Sequence, residues 1–294
     1  MKQCVLAMIV VALLAGPSMA DELVFPTVTT GTMAMWLDAA DAVYDASGQV
    51  TAWQDKTGMN GGIGGLFTVP TAVPGFDVTG PTIGTMADSD LPVVYFNGSS
   101  NVLRGEGAIT NEHGAKWTFF FVFADVTNVR GAMDTGHNQH NPIRFSNDAN
   151  RVANQFGDDA IGVCIDLADS APNGVLFSFT HDGNSGSNNR VWLGYTNGVG
   201  GYDGSYATGE SHVVTWAEPQ FGVINGYVDP QHGPTATNWF KGGIAEVIVF
   251  KGVLSDDDRQ AVEMYLMGKY AIVPEPATMT LLALGGLALL RRRK

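Results

Sequence analysis

Cysteine is almost absent from this chain. Only two cysteines occur in 294 residues, and Cys4 lies in an N-terminal segment that is predicted to be removed. Cys164 then stays alone, so no internal disulfide can form. It lies in an apolar run from Ile161 to Asp166 whose composition is typical of a strand. We therefore interpret Cys164 as a small buried hydrophobic residue, in preference to a reactive thiol.

Basic residues are also scarce, with 16 Lys and Arg against 29 Asp and Glu. Five of the basic residues and one acid fall in the two terminal segments described below. The remaining body has 28 acids against 11 bases, a net charge of about −17. A surface of this charge repels nucleic acid and anionic lipid, and it favours cations or neutral glycans as partners. Nucleic-acid binding is excluded as a function.

Long helical periods are missing as well. Charged residues make up 15% of the chain, while 37 glycines and 13 prolines supply turns. Asn-Gly and Asp-Gly dipeptides, including Asp203-Gly204, separate short runs rich in β-branched and aromatic residues, which predicts strands joined by tight turns. The predicted strands are Leu91 to Phe96, Trp117 to Phe123, Val175 to Thr180, Val191 to Tyr195, His212 to Trp216, Gly222 to Val228 and Ala245 to Phe250. The pattern predicts an all-β antiparallel β-sandwich or jelly roll, with Thr68 to Asp90 as a surface excursion.

A single helix is predicted, and it lies near the end of the body. Ser255 has the side chain of an N-cap, and the acids at 256–258 suit the first turn because they face the positive end of the helix dipole. Val262, Tyr265 and Leu266 form an apolar stripe, and Lys269 follows near the C-terminus. We expect a short C-terminal helix that closes one side of the sandwich, and we attribute the acids to capping in preference to a metal site.

Both ends of the chain have the composition of export signals. Residues 1–20 combine a positive start, an apolar core and a small-x-small site ending at Ala20, which predicts a signal peptide. At the other end, Pro274, Glu275 and Pro276 precede an apolar run from Ala277 to Leu290 and four basic residues. The run is shorter than the roughly 20 residues that a spanning helix needs, so we expect temporary insertion into the inner membrane followed by processing.

This tail resembles the PEP-CTERM sorting signal of bacteria that make exopolysaccharide. The order of the Pro-Glu-Pro motif, the apolar run and the basic end carries the resemblance, which covers 273–294 only. It implies that an exosortase-type processing enzyme is a partner and that the protein is exported to the cell surface or the extracellular matrix. The body between the signals, 21–272, is predicted to form one domain.

The body also resembles LamG-like, concanavalin A-type jelly-roll domains. Trp36 to Asp41 and Val50 to Gly58 look like the opening of such a domain, and Val94 to Gly98 looks like its next strand and turn. Gly243 to Ser255 and the helix ending at Tyr270 look like its closing elements. The resemblance implies a concanavalin A-like sandwich in which Trp36 and Trp53 are structural. It is weakest over 128–206, where binding loops would vary.

Catalytic patterns are not found in the sequence. Glycoside hydrolases of this fold carry a Glu-x-Asp-x-x-Glu strand, whose alternation would direct the carboxylates into one cleft. That spacing is absent, and Glu246 is a lone acid on its predicted strand. No Gly-x-Ser-x-Gly elbow or phosphate loop occurs. His137 and His140 have a chelating i, i+3 spacing, but their polar, Gly-rich surroundings indicate a solvent-facing loop.

Binding residues are predicted in two groups. Calcium is a possible cofactor, because hard oxygen ligands are plentiful at Asp38, Asp41, Asp45, Asp55, Asp158 and Asp159, although no EF-hand loop is formed. A sugar site needs aromatic faces beside hydrogen-bonding side chains. Two predicted loop regions contain such residues, with Trp192 between them interpreted as core. The candidate ligand-binding residues are His181, Asp182, Asn184, Asn188, Arg190, Tyr202, Asp203 and Tyr206.

The leading hypothesis is an exported, non-catalytic surface or exopolysaccharide-matrix protein that is carbohydrate-binding or adhesive. Two alternatives stay open at this point. One is a polysaccharide-active enzyme with an atypical site, and the other is a structural matrix protein without a ligand.

Overall fold

The computed structural model covers all 294 residues and places most of the body as one sandwich. The residues that it describes are 23–57, 65–71, 77–87, 89–105, 112–113, 116–128, 132–133, 144–147, 151–156, 159–160, 165–166, 174–181, 190–206, 213–214, 219–224 and 238–272. The predicted signal peptide with Ala20, the tail with Pro274, Glu275 and Pro276, and the predicted features Cys164, His137 and His140 lie outside these residues.

The described residues form twenty strands and one helix. The elements, in chain order, are β1 (Thr32–Tyr44), β2 (Val50–Asp55), β3 (Leu66–Thr68), β4 (Thr82–Thr85), β5 (Pro92–Asn97), β6 (Leu103–Gly105), β7 (Glu112–His113), β8 (Trp117–Asn128), β9 (Arg144–Asn147), β10 (Arg151–Phe156), β11 (Asp159–Ala160), β12 (Ile165–Asp166), β13 (Val175–His181), β14 (Arg190–Thr196), β15 (Val199–Tyr206), β16 (Val213–Val214), β17 (Gln220–Phe221), β18 (Val223–Ile224), β19 (Asn238–Trp239), β20 (Lys241–Lys251) and α1 (Asp256–Lys269).

The main sheet has 12 strands, and its path is β15-β14-β13-β8-β20-β1-β2-β3-β6-β17. β5 pairs with β20 and carries β4 on its other side. The central pairings β13–β8, β8–β20, β20–β1 and β1–β2 are all antiparallel. The predicted class is confirmed: the fold is an antiparallel β-sandwich with a short C-terminal helix. The strands predicted from 91, 117, 175, 191 and 245 correspond to β5, β8, β13, β14 and β20.

The middle strands are buried on both faces, which explains their unbroken apolar sequences. In β8, Phe119, Phe121 and Phe123 belong to one core cluster, while Phe120 and Val122 belong to the cluster on the other face. Successive side chains of a strand point to opposite faces, so a two-sided strand needs apolar residues at every position. β20 divides its side chains between the two clusters in the same way.

The larger of the two core clusters contains aromatic side chains from strands near both ends of the main sheet's strand order. It joins three phenylalanines of β8 (119, 121 and 123) and both phenylalanines of β13 to Trp53 of β2, Phe67 of β3 and Phe221 of β17. The Phe67 and Phe221 ring centroids are 5.3 Å apart, and those of Phe119 and Phe179 are 4.5 Å apart in a stacked pair. Truncating one such ring to alanine costs about 3–5 kcal/mol, so this aromatic layer supplies much of the stability of the sandwich.

Helix α1 forms a third layer over the smaller cluster. Ser255 is the N-cap, and its side chain accepts a hydrogen bond from the Asp258 amide at 3.2 Å, as predicted. Val262 and Leu266 are buried against the sheet. Asp258 has a second role that the sequence did not indicate, because it accepts hydrogen bonds from Thr29 and Thr30 and so ties the start of the helix to the N-terminal segment.

The hairpin between β14 and β15 corrects one part of the sequence prediction. Asn197 and Gly198 both have positive φ, and Thr196 pairs with Val199, as in a two-residue turn of the Asn-Gly type. Asp203 and Gly204, by contrast, are not a turn: they pair with Leu193 and Trp192 inside β15. The tight turn at 197–198 sets the register of the two strands. In that register the ladder continues through Asp203 and Gly204, which overrides their local preference for a turn.

The segment Thr68 to Asp90 also differs from its prediction as a surface excursion. It contributes β4 to the main sheet, and Met86 is fully buried against the helix side of the sandwich. β4 lies at an edge and is only four residues long. A short edge strand rich in Gly and Thr has a weak sequence pattern, so pairing with β5 determined its conformation.

Candidate functional site

A buried network of charged and polar side chains joins α1 to the centre of the sheet. Glu246 of β20 is 1% exposed, and its Oε2 accepts hydrogen bonds from Lys269 Nζ at 2.8 Å and from the Tyr270 hydroxyl at 2.8 Å. Its Oε1 accepts from Trp36 Nε1 at 2.6 Å. Asp38 of β1 accepts from the same Lys269 ammonium at 2.6 Å. Registry places Asp38 opposite Glu246, so the two carboxylates share one cation.

The two carboxylates of this network are shifted in opposite directions. Burial alone would raise the pKa of Asp38, but hydrogen bonds and charge from Lys269 and Lys56 outweigh it and hold that pKa below its ordinary value. Burial raises the pKa of Glu246 above its ordinary value, even though Lys269 opposes the rise. The fold therefore shifts the pKa of both carboxyl groups. Charge in this buried network is tolerated because lysines and hydrogen bonds compensate for the loss of solvation.

These shifts predict a pH dependence of stability. Because the folded pKa of Asp38 is below its unfolded value, its contribution is present above about pH 4 and is lost as the pH falls through the folded pKa. The raised pKa of Glu246 acts oppositely and adds stability as the pH falls. Asp38→Asn is expected to flatten the acid-side loss of stability, and Glu246→Gln is expected to steepen it. Urea unfolding between pH 3 and 7 measures both; equal slopes in all three proteins would contradict the assignment.

A second buried ion pair lies about two to three turns earlier on α1. Arg259, 4% exposed, donates from Nη1 to both oxygens of Glu263 at 2.6 Å, and Glu263 is 1% exposed. Ser178 of β13 donates its hydroxyl to the same carboxylate. The guanidinium carbon lies 3.5 Å from the ring centroid of Tyr195 on β14. This pair therefore connects α1 to β13 and β14, on the side of the sheet opposite the aromatic core.

Four of the six acids that the sequence predicted as calcium ligands, Asp38, Asp41, Asp45 and Asp55, have other partners. Asp41 pairs with Lys56 at 3.1 Å, and Asp45 accepts from the Ser47 and Gln49 amides of its own turn. Asp55 accepts from the Trp36 and Thr57 amides through Oδ1, while burial raises its pKa. In the described ranges, no group of three His, Cys, Asp or Glu side chains could hold a metal ion. Asp158 lies outside those ranges, so calcium stays a prediction.

A cleft without charged residues opens at the β4–β5 edge. It has a volume of about 280 Å³, and its lining consists of Gln49, Thr79, Gly80, Thr82, Tyr95, Phe96, Asn97 and Asn101. Asn101 is 6% exposed and is fixed by bonds from Nδ2 to Gly80 O at 2.8 Å and from the Asn97 amide to Oδ1 at 2.7 Å. The cleft therefore combines amides, hydroxyls and an aromatic ring on a rigid strand framework, which suits a neutral hydroxylated ligand.

Tyr95 in the cleft wall gives a direct test of this geometry. Its hydroxyl donates to Asp125 Oδ2 at 2.9 Å, and burial together with that carboxylate raises its pKa to about 12. We expect Tyr95→Phe to leave the ultraviolet absorbance change unaltered up to about pH 11, because Tyr95 is still protonated there. Asp125→Ala should shift the Tyr95 ionisation to lower pH. A loss of amplitude near pH 10 in Tyr95→Phe would contradict the partly buried, hydrogen-bonded phenol.

The predicted ligand residues divide into two groups. Asp182, Asn184 and Asn188 lie outside the described residues. The other five lie on strands: His181 ends β13, Arg190 begins β14, and Tyr202, Asp203 and Tyr206 belong to β15. Pairing brings Arg190 opposite Tyr206, and Asp203 opposite Leu193. The predicted binding loop at 202–206 is therefore corrected to an edge strand, whose end meets the ends of β13 and β14.

Sequence reasoning missed most of the residues in both buried networks and in the cleft. Glu246 was recognised only as a lone acid, and Lys269 only as a favourable charge near the helix end. A lysine in the last turn of a helix does not by itself predict a buried ion pair with an acid of the preceding strand, because lysine is common at this position in surface helices. The cleft residues Gln49 and Thr82 come from separate segments that only the sheet brings together. Trp53 is confirmed as structural: it is fully buried, and its Nε1 donates to Asp38 O at 2.7 Å.

The strand pairing and the two core clusters define this chain as an antiparallel β-sandwich protein, which is consistent with the predicted concanavalin-like fold. Its last residues, 273–294, match the PEP-CTERM protein-sorting motif. That motif confirms the predicted resemblance, and it implies processing by an exosortase-type enzyme. It indicates export and a location at the cell surface or outside the cell. Within the described residues, no helix is long and apolar enough to cross a membrane.

Solved structures with a similar fold include carbohydrate-active and toxin domains. Domain 4 of AbnA, a GH43 extracellular arabinanase from Geobacillus stearothermophilus in complex with arabinotriose, is 14% identical with a TM-score of 0.52, over 81% of this chain and 100% of that one. An arabinofuranosidase complexed with arabinofuranosyl-alpha-1,2-xylobiose is 14% identical with a TM-score of 0.51, over 84% and 61%. The binding domain of botulinum neurotoxin serotype D is 10% identical with a TM-score of 0.53, over 80% and 51%.

These identities establish the fold alone. The chain spans the whole of the arabinanase domain, but only 61% and 51% of the other two chains. No curated protein matches the sequence.

Proposed function

We propose that this exported protein is a non-catalytic component of the cell surface or the extracellular matrix that binds neutral polysaccharide. The observation that carries the proposal is the uncharged cleft at the β4–β5 edge. A sugar presents hydroxyls around an apolar face, and the cleft offers the Gln49 amide, the Thr82 hydroxyl and the ring of Tyr95 in return. The acidic body, with a net charge of about −17, favours a neutral glycan over an anionic one.

A second candidate surface is the shared end of β13, β14 and β15. His181, Arg190 and Tyr206 are brought to this end by strand pairing, and the predicted residues Asp182, Asn184 and Asn188 fall between His181 and Arg190 in sequence. A polar rim at the end of a sandwich is a common location for binding residues. We treat it as a separate candidate glycan surface, to be tested by Tyr206→Ala and Arg190→Ala.

The buried carboxylates support a non-catalytic role. Asp38 and Glu246 are brought together by the fold, but they are 5% and 1% exposed and share Lys269. A glycosidase pair needs one carboxyl group and one carboxylate on either side of a bound sugar, with access for water. Carboxylates that are closed off and paired with lysine stabilise the fold and are not placed to attack a glycosidic bond.

The test is a glycan-binding screen of the purified protein, run with calcium and again with a chelator. Arabinose oligosaccharides are the first probes, because domain 4 of AbnA shares the fold and was solved with arabinotriose. Thr82→Val removes a hydroxyl from the cleft at nearly constant shape, and Thr51→Val on the neighbouring strand β2 is the matched control. We expect Thr82→Val to weaken binding about 5- to 10-fold, whereas Thr51→Val retains it.

The outcomes separate the alternatives. Binding that disappears with the chelator would support a calcium ion at or beneath the site. Hydrolysis of an oligosaccharide would overturn the non-catalytic proposal in favour of an atypical enzyme. No binding to any glycan in either condition would overturn the binding proposal and favour a ligand-free matrix protein.

A further inference from the structure

The end of helix α1 is closed by backbone hydrogen bonds that continue beyond its last residue. The Tyr270 amide donates to Leu266 O at 3.0 Å, and the Ile272 amide donates to Met267 O at 2.9 Å. Ala271 lies between them with a φ of 53°, the left-handed conformation that ends many helices. Ile272 is 5% exposed and belongs to the core cluster under the helix. The folded body therefore includes Ile272.

Side chains hold the same turn to the sheet. Lys269 bonds to both Asp38 and Glu246, as described above, and Tyr270 is 1% exposed with its hydroxyl 2.8 Å from Glu246 Oε2. We name Lys269, Tyr270 and Ile272 the C-terminal latch. Its anchors are buried carboxylates that would lose their compensation if the turn moved away, so opening the latch carries a substantial free-energy cost.

The first described residues of the chain cover the helix beside this latch. The Phe25 ring lies between Trp36 and Tyr265, with centroid separations of 4.6 Å and 5.1 Å. Leu23 lies against Gly268, where an added Cβ would meet Leu23 Cδ1 at 3.4 Å. Both ends of the body therefore meet at the same part of α1, and the N-terminal segment packs against the helix turn that carries the latch.

The sorting motif begins at Val273, immediately after the latch, so no spacer separates the fold from the tail. A processing enzyme binds its substrate in extended form on both sides of the bond that it cleaves, and the prolines at 274 and 276 favour that form. We propose that the C-terminal latch limits processing: the residues that precede the motif enter the enzyme only after the latch opens locally. This inference is independent of glycan binding, and its partner is the processing enzyme.

The rate of a cleavage that needs local opening follows the population of the open state when opening and closing are fast. A flexible spacer inserted after Ile272 would let the enzyme bind the motif without opening of the latch. A change that weakens the latch without altering the tail increases the open population. Both changes should therefore speed the removal of the tail, although neither alters a residue of the motif.

The experiment is a pulse-chase of the full-length protein in cells that carry an exosortase-type enzyme. One variant inserts a short Gly-Ser spacer between Ile272 and Val273, and a second is Tyr270→Phe. The matched control is Met264→Ala, which changes an exposed side chain on the same helix, 64% exposed and outside the latch. We expect the tail to be removed about 5- to 10-fold faster in the spacer variant and in Tyr270→Phe, and at the wild-type rate in Met264→Ala.

A second measurement does not depend on the enzyme. Hydrogen exchange of the full-length protein in detergent should show protected amides at Tyr270 and Ile272, and Tyr270→Phe should reduce that protection by a similar factor. The proposal is overturned if the spacer variant is processed at the wild-type rate. It is also overturned if these two amides exchange as fast as in an unfolded chain. Loss of glycan binding would leave both results unaffected, so the two proposals fail separately.

Discussion

Replacing Glu246 by alanine is expected to lower the free energy of unfolding by about 3–5 kcal/mol. The substitution leaves the Lys269 ammonium with Asp38 as its remaining carboxylate. It also removes the acceptor of Trp36 Nε1 and the nearer acceptor of the Tyr270 hydroxyl, whose other acceptor, Ala245 O, is 3.3 Å away. Buried donors without acceptors and a less compensated charge are among the largest single-residue penalties. Urea unfolding at pH 7 measures the loss, and a folded protein has only about 5–15 kcal/mol in total.

Two control variants make this result interpretable. Glu246→Gln keeps an oxygen acceptor and nearly the same volume, so a smaller loss is expected. Asp77→Ala removes an exposed acid from the same protein and should change stability by less than about 0.5 kcal/mol. A Glu246→Ala variant that is as stable as Asp77→Ala would show that the network contributes nothing to the attachment of α1.

Glu263→Ala should be destabilising to a similar extent, about 3–5 kcal/mol, for a related reason. Arg259 is 4% exposed, and its principal carboxylate partner is Glu263; its other partner, Asp256, is 3.4 Å away and has a side chain that is 79% exposed. Removing Glu263 leaves a guanidinium that is stacked on Tyr195 in the interior. Ser178 loses its acceptor at the same time.

A double variant distinguishes a charge effect from a packing effect. Arg259→Met combined with Glu263→Leu removes both charges and fills a similar volume, so it should recover most of the stability that Glu263→Ala loses. Thermal unfolding followed by circular dichroism is sufficient for the comparison. If the double variant is no more stable than Glu263→Ala, the loss comes from packing against β13 and not from an uncompensated charge.

Much of the fold was predictable because its signals are local. The two-sided strands β8 and β20 have unbroken apolar sequences, and α1 has a serine cap, acids in its first turn and an apolar stripe. Asn197-Gly198 marks its hairpin because few other dipeptides accept two positive φ values. Asp203-Gly204 has the same kind of sequence but lies in a strand, because the register of β14 and β15 was already fixed. β4 was missed because an edge strand of four residues has little pattern of its own.

The candidate site was much less predictable, because its residues are distant in sequence. Gln49, Thr82 and Asn97 line the cleft but come from three separate segments. None of them belongs to a local sequence pattern that predicts a binding site. Glu246 meets Trp36 across 210 positions, and no local pattern specifies that pairing. Of the predicted ligand residues, Arg190 and Tyr206 are paired by strand register. Four of the acids proposed for calcium, Asp38, Asp41, Asp45 and Asp55, instead bind lysines or backbone amides.

The sequence by itself determined the C-terminal sorting motif, the acidic composition, the all-β class and the closing helix. Each of these depends on composition or on patterns within about ten to twenty residues, which hydrophobic periodicity and turn chemistry make visible. Tertiary structure alone decided which carboxylates become buried, which lysines compensate for them, and how closely the folded body approaches the sorting motif. These properties depend on contacts between segments that are distant in sequence and that the sheet brings together. The burial and the partners that result determine how costly it is to keep each of these groups charged.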